Sequence, residues 1–185
     1  MLERQIHGFN FEKEIIEMWG MEETNYRDEW DAYYKGIPVS IKYRKLGNNV
    51  EMSSIFKNAN KKENYLLIVG FWKYNKKRKK ELIETHYLYI NKNFWNSNFK
   101  QETLDKLKNV FKGISNDRCD DSKWRVRMSE YNKIWDSDET IIKAHFKRDH
   151  KKQKRIQCSI KIKYFYEILV KHYSVDLDDF EITKI

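Results

Sequence analysis

An apolar segment without charged residues, Tyr65 to Trp72, constrains the fold of this chain more than any other feature of its sequence. It consists of aromatic and aliphatic residues with a single glycine, and polar and basic residues follow it. A short apolar run bounded in this way is typical of a strand in the core of a sheet. We therefore predict a strand over Asn64–Tyr74, and we expect Trp72 to belong to the core or its lining rather than to a base-stacking surface.

Two elements are predicted before this strand. Apolar residues recur at helical spacing within Glu3–Trp19, and Gly20 supplies a C-terminal stop, so an amphipathic helix is expected there. The segments Glu29–Tyr34 and Ile37–Tyr43 flank the dipeptide Lys35-Gly36. A short glycine-containing turn between two such segments predicts a β-hairpin.

The remaining pattern extends the sheet and adds helices. It predicts a loop and helix over 48–62, a strand over 82–90, a helix over 101–112, strands over 124–128 and 140–146, and a helix over 164–173. This order predicts an α/β fold with a central mixed β-sheet flanked by helices, followed by a C-terminal α+β extension. We expect a core domain over residues 1–114 and an extension over residues 115–185 that packs on it.

The charge of the chain is divided unevenly along its length. The net charge is +9, but residues 1–31 carry nine acids against three bases, which leaves 15 excess positive charges in the remainder. The densest basic segment, Lys143 to Lys163, has nine bases against Asp149 alone, and Asn75–Lys80 is a second, smaller one. A disordered charged loop would have this composition, but we predict contacts to DNA phosphates, which give affinity without base choice. The residues predicted to bind DNA are Lys147, Arg148, Lys151, Lys152, Lys154 and Arg155.

Several other classes of protein are not favoured. Cys119 and Cys158 form no CxxC pair, which argues against a structural zinc site and suits a reducing cytoplasm. No apolar run approaches the roughly 18 residues that span a bilayer, and the first residues lack the apolar core of a signal peptide. We therefore expect a cytoplasmic protein without membrane association. Neither GxxxxGK[ST] nor GxGxxG occurs, which argues against nucleotide-driven action.

The predicted hairpin gathers the side chains that are best suited to chemistry. Counting outward from Lys35-Gly36, Asp31 faces Ser40 on the opposite strand. Because strand side chains alternate and directly opposed residues share a face, we expect Asp31, Ser40 and Lys42 on one face, with Glu29 two residues before Asp31. Mg²⁺ prefers carboxylate oxygens, and a lysine can orient a water or stabilise charge on a phosphate. The pattern suits metal-dependent phosphodiester cleavage, although an ordinary hairpin with solvated charges would share it.

The same residues resemble the core of the PD-(D/E)XK nucleases, a superfamily that includes type II restriction endonucleases and Holliday-junction resolvases. The matching elements are Trp30-Asp31 and Ile37–Lys42, followed by a helix and an apolar strand, within residues 5–75. The resemblance implies that Asp31 is the central metal ligand and Lys42 the catalytic lysine, with Mg²⁺ as cofactor. It also implies an accessory glutamate in the first helix, for which Glu12 is the candidate, with a solvated helix acid as the alternative.

The chain departs from the family pattern at Ser40, which occupies the position of the usual second carboxylate. It is similar there to restriction enzymes that carry Ser-x-Lys on this strand and take the missing acid from the following helix. The candidates for that acid are Glu51, nine residues after the lysine, and Glu29, by strand parity. A second Ser-Ile-Lys triplet, Ser159–Lys161 with Asp149 upstream, lies in a segment too basic to favour a cation site.

The resemblance thus implies a Mg²⁺-dependent endonuclease for double-stranded DNA, of the sequence-specific type II restriction kind. A nuclease with one site per chain cuts both strands most simply as a homodimer. Target recognition is expected in the region after residue 114. Two alternatives remain: a Holliday-junction resolvase-like nuclease, and a nucleic-acid-binding protein without catalytic activity.

Overall fold

A computed structural model describes residues 3–25, 28–112, 126, 129, 141–148 and 154–180. The chain divides into two compact units whose segments alternate along the sequence. The first unit contains Met1–Val50, Glu63–Lys92 and Ile162–Ile185, and the second contains Glu51–Lys62 and Asn93–Lys161. The predicted boundary at residue 114 does not coincide with this division. None of the described helices combines the length and apolarity needed to cross a bilayer.

The described elements follow in the chain order α1 (Glu3–Trp19), β1 (Glu22–Glu23), β2 (Ala32–Tyr34), β3 (Ile37–Lys45), β4 (Val50–Ser54), α2 (Ile55–Ala59), β5 (Tyr65–Tyr74), β6 (Lys80–Ile90), α3 (Asn93–Asn98), α4 (Gln101–Lys112), β7 (Ile142–Arg148), β8 (Lys154–Ile160), α5 (Ile162–Tyr164), a π-helix (Phe165–Val170) and α6 (Lys171–Tyr173). The fold is α/β, with a mixed sheet flanked by helices, as the sequence predicts. In the first unit, a five-stranded sheet has the order β1-β2-β3-β5-β6. Only β3 and β5 are parallel neighbours in it.

Strand β5 lies inside this sheet, next to the edge strand β6, and confirms the strand predicted from the apolar segment. It pairs with β3 on one side and β6 on the other, and its residues 65–71 are buried. Successive side chains of a strand point to opposite faces. Gly70 meets the ring of Phe11 from α1, whereas Phe71 contacts Phe165 of the π-helix at 5.4 Å between ring centroids. Helical segments therefore cover both faces of β5.

Helix α1 ends where the sequence predicts. Gly20 has a φ of +57°, its N–H donates to the Glu17 carbonyl at 3.3 Å, and the Met21 N–H donates to the Ile16 carbonyl at 3.0 Å. This pair of bonds is a Schellman motif, which satisfies the last carbonyls of the helix and favours glycine at the left-handed position. The hydrophobic face of α1, with Ile16 and Phe11 buried, packs on the first unit's sheet.

The β2–β3 hairpin is confirmed together with its register, because Ala32 lies opposite Val39. The turn residues Lys35 and Gly36 have φ angles of +49° and +77°. Two consecutive left-handed residues are characteristic of the primed turns that match the twist of the paired strands. β3 continues well beyond the end of its pairing with β2, and this length difference creates the site described below.

The C-terminal helical segment, α5 to α6, belongs to the first unit. Ser174 forms a bridge with Leu88 of β6, and the Val175 N–H donates to the Tyr87 carbonyl at 2.9 Å. The Tyr166 hydroxyl also donates to Glu84 on β6. These contacts explain why the predicted extension over 115–185 does not form one block, since its last part pairs with the first unit's sheet.

The second unit has a three-stranded sheet with the order β4-β8-β7. The prediction of a loop and helix over 48–62 is wrong in its first part, because strand β4 precedes the short helix α2. Helix α4 and strand β7 confirm the predictions over 101–112 and, approximately, over 140–146. The strand predicted over 124–128 lies outside the described residues except for Val126, which is helical. The sequence pattern predicts no strand at β8, which lies within the basic segment Lys143 to Lys163.

Candidate active site

The carboxylate of Asp31 is the centre of the candidate site. Its Oδ2 accepts hydrogen bonds from the Ile41 N–H at 2.6 Å, from Lys42 Nζ at 3.1 Å and from Ser40 Oγ at 3.3 Å. Within the described part of the chain, every hydrogen bond to this carboxylate reaches Oδ2, so Oδ1 is available to another partner. The structure thus brings Asp31, Ser40 and Lys42 together, as strand parity predicts.

The end of the hairpin explains this arrangement. β2 pairs with residues 37–39 of β3, and no described strand continues the pairing on that side of β3. The N–H of Ile41 donates instead to Asp31 Oδ2, and the carbonyl of Ile41 accepts from Lys42 Nζ at 2.9 Å. Side chains therefore satisfy backbone groups at a strand edge that would otherwise lack partners.

The ammonium group of Lys42 is placed between two oxygen acceptors. Its Nζ lies 3.1 Å from Asp31 Oδ2 and 2.9 Å from the Ile41 carbonyl oxygen, so one positive charge contacts a carboxylate and a carbonyl. The side chains of Lys42 and Asp31 are 23% and 28% exposed, so solvent and a ligand can reach both. A pair of this exposure contributes little to stability.

Glu12, on α1, is a second carboxyl in the same place. Its pKa is raised from 4.5 to about 7, first by burial and then by the charge of Asp31, while Lys42 lowers it and Glu23 adds a smaller increase. Helix α1 holds Glu12 there because its neighbour Phe11 is buried against the sheet. Two acids kept within reach of each other's charge form a site that a cation would stabilise.

The raised pKa of Glu12 predicts a pH-dependent stability in the presence of EDTA. The folded protein binds a proton more tightly at Glu12 than the unfolded chain, so the contribution of Glu12 to stability is greatest below pH 4.5 and falls as pH rises towards about 7. The shift corresponds to about 3 kcal/mol for a fully buried group, which solvent screening at this half-buried carboxyl reduces to about 1–2 kcal/mol. The free energy of unfolding of Glu12→Gln, measured with urea across this pH range, should not show this decrease.

Glu17→Gln is the matched control for this prediction, since Glu17 is exposed on the same helix. Its unfolding free energy should follow the pH profile of the unchanged protein. Identical profiles for Glu12→Gln and the unchanged protein would contradict the burial of a protonated carboxyl at this position.

The second carboxylate predicted from the sequence finds less support. Glu51 lies on β4 and belongs to the second unit, whereas Asp31 and Lys42 belong to the first. Glu29 is exposed in the segment that precedes Asp31. Glu23, whose charge acts on Glu12, was not predicted, because its strand β1 has two residues and leaves no periodic signal.

The donor set fits a hard divalent cation that retains most of its waters. No three described His, Cys, Asp or Glu side chains lie close enough to form a complete metal cage. Mg²⁺ does not require one, because it is commonly held by one or two carboxylates and keeps several waters. Asp31 Oδ1, Glu12 and the Ile41 carbonyl are oxygen donors of the kind it prefers.

Four of the six predicted DNA-binding residues lie where β7 ends and β8 begins. In the pairing of β7 and β8, Lys147 is opposite Arg155 and Arg148 is opposite Lys154, while Lys151 and Lys152 lie outside the described residues. The backbone register therefore pairs two basic residues at each of these two positions. The basic segment is therefore, at least over these residues, a regular hairpin.

The structure describes the second Ser-Ile-Lys triplet but not the acid upstream of it. Ser159 is buried on β8 and lies opposite Lys143 in the register. Asp149, the acid predicted to accompany it, lies outside the described residues.

Comparison of the chain with protein-family models, with curated proteins and with solved structures finds no match. The resemblance to the PD-(D/E)XK nucleases therefore remains a prediction from the residues. The geometry around Asp31 is the remaining evidence for the function of this protein.

Proposed function

We propose that this protein is a divalent-metal-dependent nuclease that hydrolyses phosphodiester bonds in DNA. The observation that supports this most strongly is the position of Lys42 Nζ, which contacts both Asp31 Oδ2 and the Ile41 carbonyl. A half-buried Glu12 stands within reach of their charges. Two acids and a lysine at an accessible strand edge are the groups that metal-assisted phosphoryl chemistry requires.

Asp31 and Glu12, with the Ile41 carbonyl, are the residues that would hold the cation. When bound, Mg²⁺ supplies Lewis acidity towards a phosphate oxygen and lowers the pKa of a coordinated water. Ser40 Oγ and the Ile41 N–H hold Asp31 Oδ2, so the carboxylate presents Oδ1 in a fixed direction. Ser40 thereby orients the ligand without replacing the missing second carboxylate.

Lys42 would act on the phosphate or on the attacking water. Its ammonium has three N–H donors, and the hydrogen bonds that it makes to described residues go to Asp31 and Ile41. A remaining donor can stabilise charge that develops on a phosphate oxygen, or orient the water. Its place beside Asp31 keeps this donor next to the cation ligands.

The finer form of the proposal is a sequence-specific enzyme of the type II restriction kind that acts on duplex DNA as a homodimer. Its support is that the described residues contain one candidate site per chain, since a symmetric dimer is then the simplest way to cut both strands. The basic residues paired in the β7–β8 hairpin would contact DNA phosphates and increase the affinity for DNA.

Cleavage of supercoiled plasmid tests the proposal. The unchanged protein should nick or linearise plasmid with Mg²⁺ and leave it intact with EDTA. Lys42→Met, which removes the ammonium but keeps most of the stem, should lower the cleavage rate by about a hundredfold to a thousandfold. Lys171→Met, a substitution at an exposed position on α6, is the control and should cleave at the unchanged rate.

The substrate pattern then separates the alternatives. Discrete fragments would support sequence specificity, whereas preference for four-way junctions would support the resolvase-like enzyme. DNA binding without cleavage under any divalent cation would overturn the nuclease assignment in favour of a non-catalytic binding protein. Full cleavage by Lys42→Met would place the chemistry elsewhere in the chain.

A further inference from the structure

A cleft of about 390 Å³ lies where β3 and β5 end and β6 begins. Small-ligand sites commonly have volumes of roughly 300–1,000 Å³. Its lining includes three aromatic and three basic side chains, namely Tyr43, Trp72, Tyr74, Arg44, Lys45 and Lys80. The Asp31 site shares none of these residues. We call this feature the aromatic cleft.

The strand register places aromatic and basic side chains of the cleft on one face of the sheet. Lys45 lies opposite Trp72, and Tyr74 lies opposite Lys80. On the same face, α1 covers the neighbouring Tyr43, whose ring stacks on Phe11 at 4.7 Å. Trp72 is only partly buried and Tyr74 is 53% exposed, so the face stays accessible at this end of the sheet.

The three rings lie next to one another, with Tyr74 nearly perpendicular to Trp72, and cations lie near two of them. The centroid of Trp72 lies 6.2 Å from that of Tyr43 and 5.1 Å from that of Tyr74. Lys80 Nζ stands 4.7 Å above the ring of Trp72, and Lys45 Nζ stands 5.9 Å from the ring of Tyr74. Flat rings bordered by ammonium groups can bind a ligand that carries both planar rings and negative charge.

The segment beside the aromatic cleft is also positively charged. Residues 73–80 contain six bases and no acid, which makes the β5–β6 turn a strongly positive segment beside the cleft. One acid of α1 acts in the opposite direction, since the pKa of Tyr43 is raised first by burial and then by the charge of Glu14. Glu81, which follows Lys80 on β6 and lies opposite Lys73, is a second acid nearby, but the bases outnumber these two acids and favour a polyanion.

We propose that the aromatic cleft binds single-stranded nucleic acid, with unpaired bases stacked on Trp72 and Tyr74 and phosphates contacted by Lys45 and Lys80. Bases of a duplex are stacked on each other and present only their edges, so exposed aromatic faces engage unpaired bases. A surface made only for phosphates needs no tryptophan or tyrosine. The proposal does not rest on nuclease activity, because binding at the cleft requires neither metal nor cleavage.

Fluorescence anisotropy with a short labelled oligothymidylate tests the proposal. The protein carries Asp31→Asn and the buffer contains EDTA, so cleavage cannot affect the signal. Tyr74→Ala is expected to weaken binding about tenfold, because stacking on one ring contributes that much to the affinity for a single strand. Tyr74→Phe retains the ring and should bind like the parent. Met18→Ala removes an exposed apolar side chain outside the cleft and is the control.

An abasic oligomer with the same number of phosphates separates stacking from charge. Weaker binding of the abasic oligomer to the parent protein, with no further loss in Tyr74→Ala, supports the proposal. Equal binding of both oligomers, or an unchanged affinity in Tyr74→Ala with thermal unfolding intact, overturns it and leaves a general polyanion surface. An RNA oligomer of matched sequence identifies which sugar the cleft prefers, and tighter binding of duplex than of either single strand also overturns the proposal.

Discussion

Replacement of Asp31 by asparagine is expected to lower the rate of Mg²⁺-dependent cleavage by at least about a thousandfold, because a metal site contributes several kcal/mol to phosphodiester hydrolysis. The amide has the size of the carboxylate and its oxygen can still accept the Ile41 N–H, which holds the strand edge. What disappears is the negative charge that would attract the cation and that now pairs with Lys42. The substitution therefore separates the chemical role of Asp31 from its structural one.

Single-turnover cleavage and DNA binding in EDTA are the measurements for Asp31→Asn. Binding should remain close to that of the unchanged protein, because the predicted phosphate contacts lie on other segments. Asp28→Asn is the matched control, since Asp28 is an exposed acid in the same connection and, among the described residues, its carboxylate accepts a local N–H from Asn25 alone. Normal cleavage by Asp31→Asn, or equal loss in both variants, would contradict the assignment of Asp31 as the cation ligand.

The contact between Asp31 and Lys42 could be predicted because it depends on local geometry. A two-residue turn fixes the register of a hairpin, and side-chain alternation then fixes which residues share a face. The observed pairing of Ala32 with Val39 places Asp31 beside Ser40 without any information from the rest of the fold. Helix α1 and strand β5 were predictable for the same reason, since each has a continuous pattern of its own.

The parts that could not be predicted depend on contacts between distant segments. The burial of Glu12 follows from how α1 packs on the sheet, which its own helical spacing does not determine. The return of the C-terminal segment to β6 through Val175 joins residues far apart in sequence, so the compact units do not follow the predicted boundary at residue 114. Trp72 was expected in the core or its lining, but strand alternation does not reveal that α1 leaves this end of the sheet uncovered.

The close approach of α1 to β5 gives a second prediction of large effect, for Gly70→Ala. A methyl group added at Gly70 would stand 2.3 Å from the Cζ atom of the Phe11 ring. That ring is 4% exposed and stacked on Tyr43, so it has little room to move. We expect the free energy of unfolding, measured with urea, to fall by about 2–3 kcal/mol, as for other overpacked cores.

The matched control for this prediction is Gly8→Ala, on α1 itself, where the added methyl group meets nothing within 4 Å. Alanine is the better helix former, so this variant should be as stable as the unchanged protein or more stable by up to about 1 kcal/mol. Phe11→Leu should restore part of the loss in a double variant with Gly70→Ala, because a smaller side chain makes room for the methyl group. Full additivity of the two substitutions would show that the clash does not limit the packing of α1.

Gly70→Ala should also affect the candidate site, because Glu12 directly follows Phe11 in α1. If the ring cannot rest on Gly70, the helix must move from the sheet, and Glu12 becomes more solvated and more distant from Asp31. The fall in stability between pH 4.5 and about 7 that Glu12 causes should then become shallower in Gly70→Ala. An unchanged pH profile in a destabilised Gly70→Ala would mean that the ring yields by itself and that Glu12 is held by other contacts of α1.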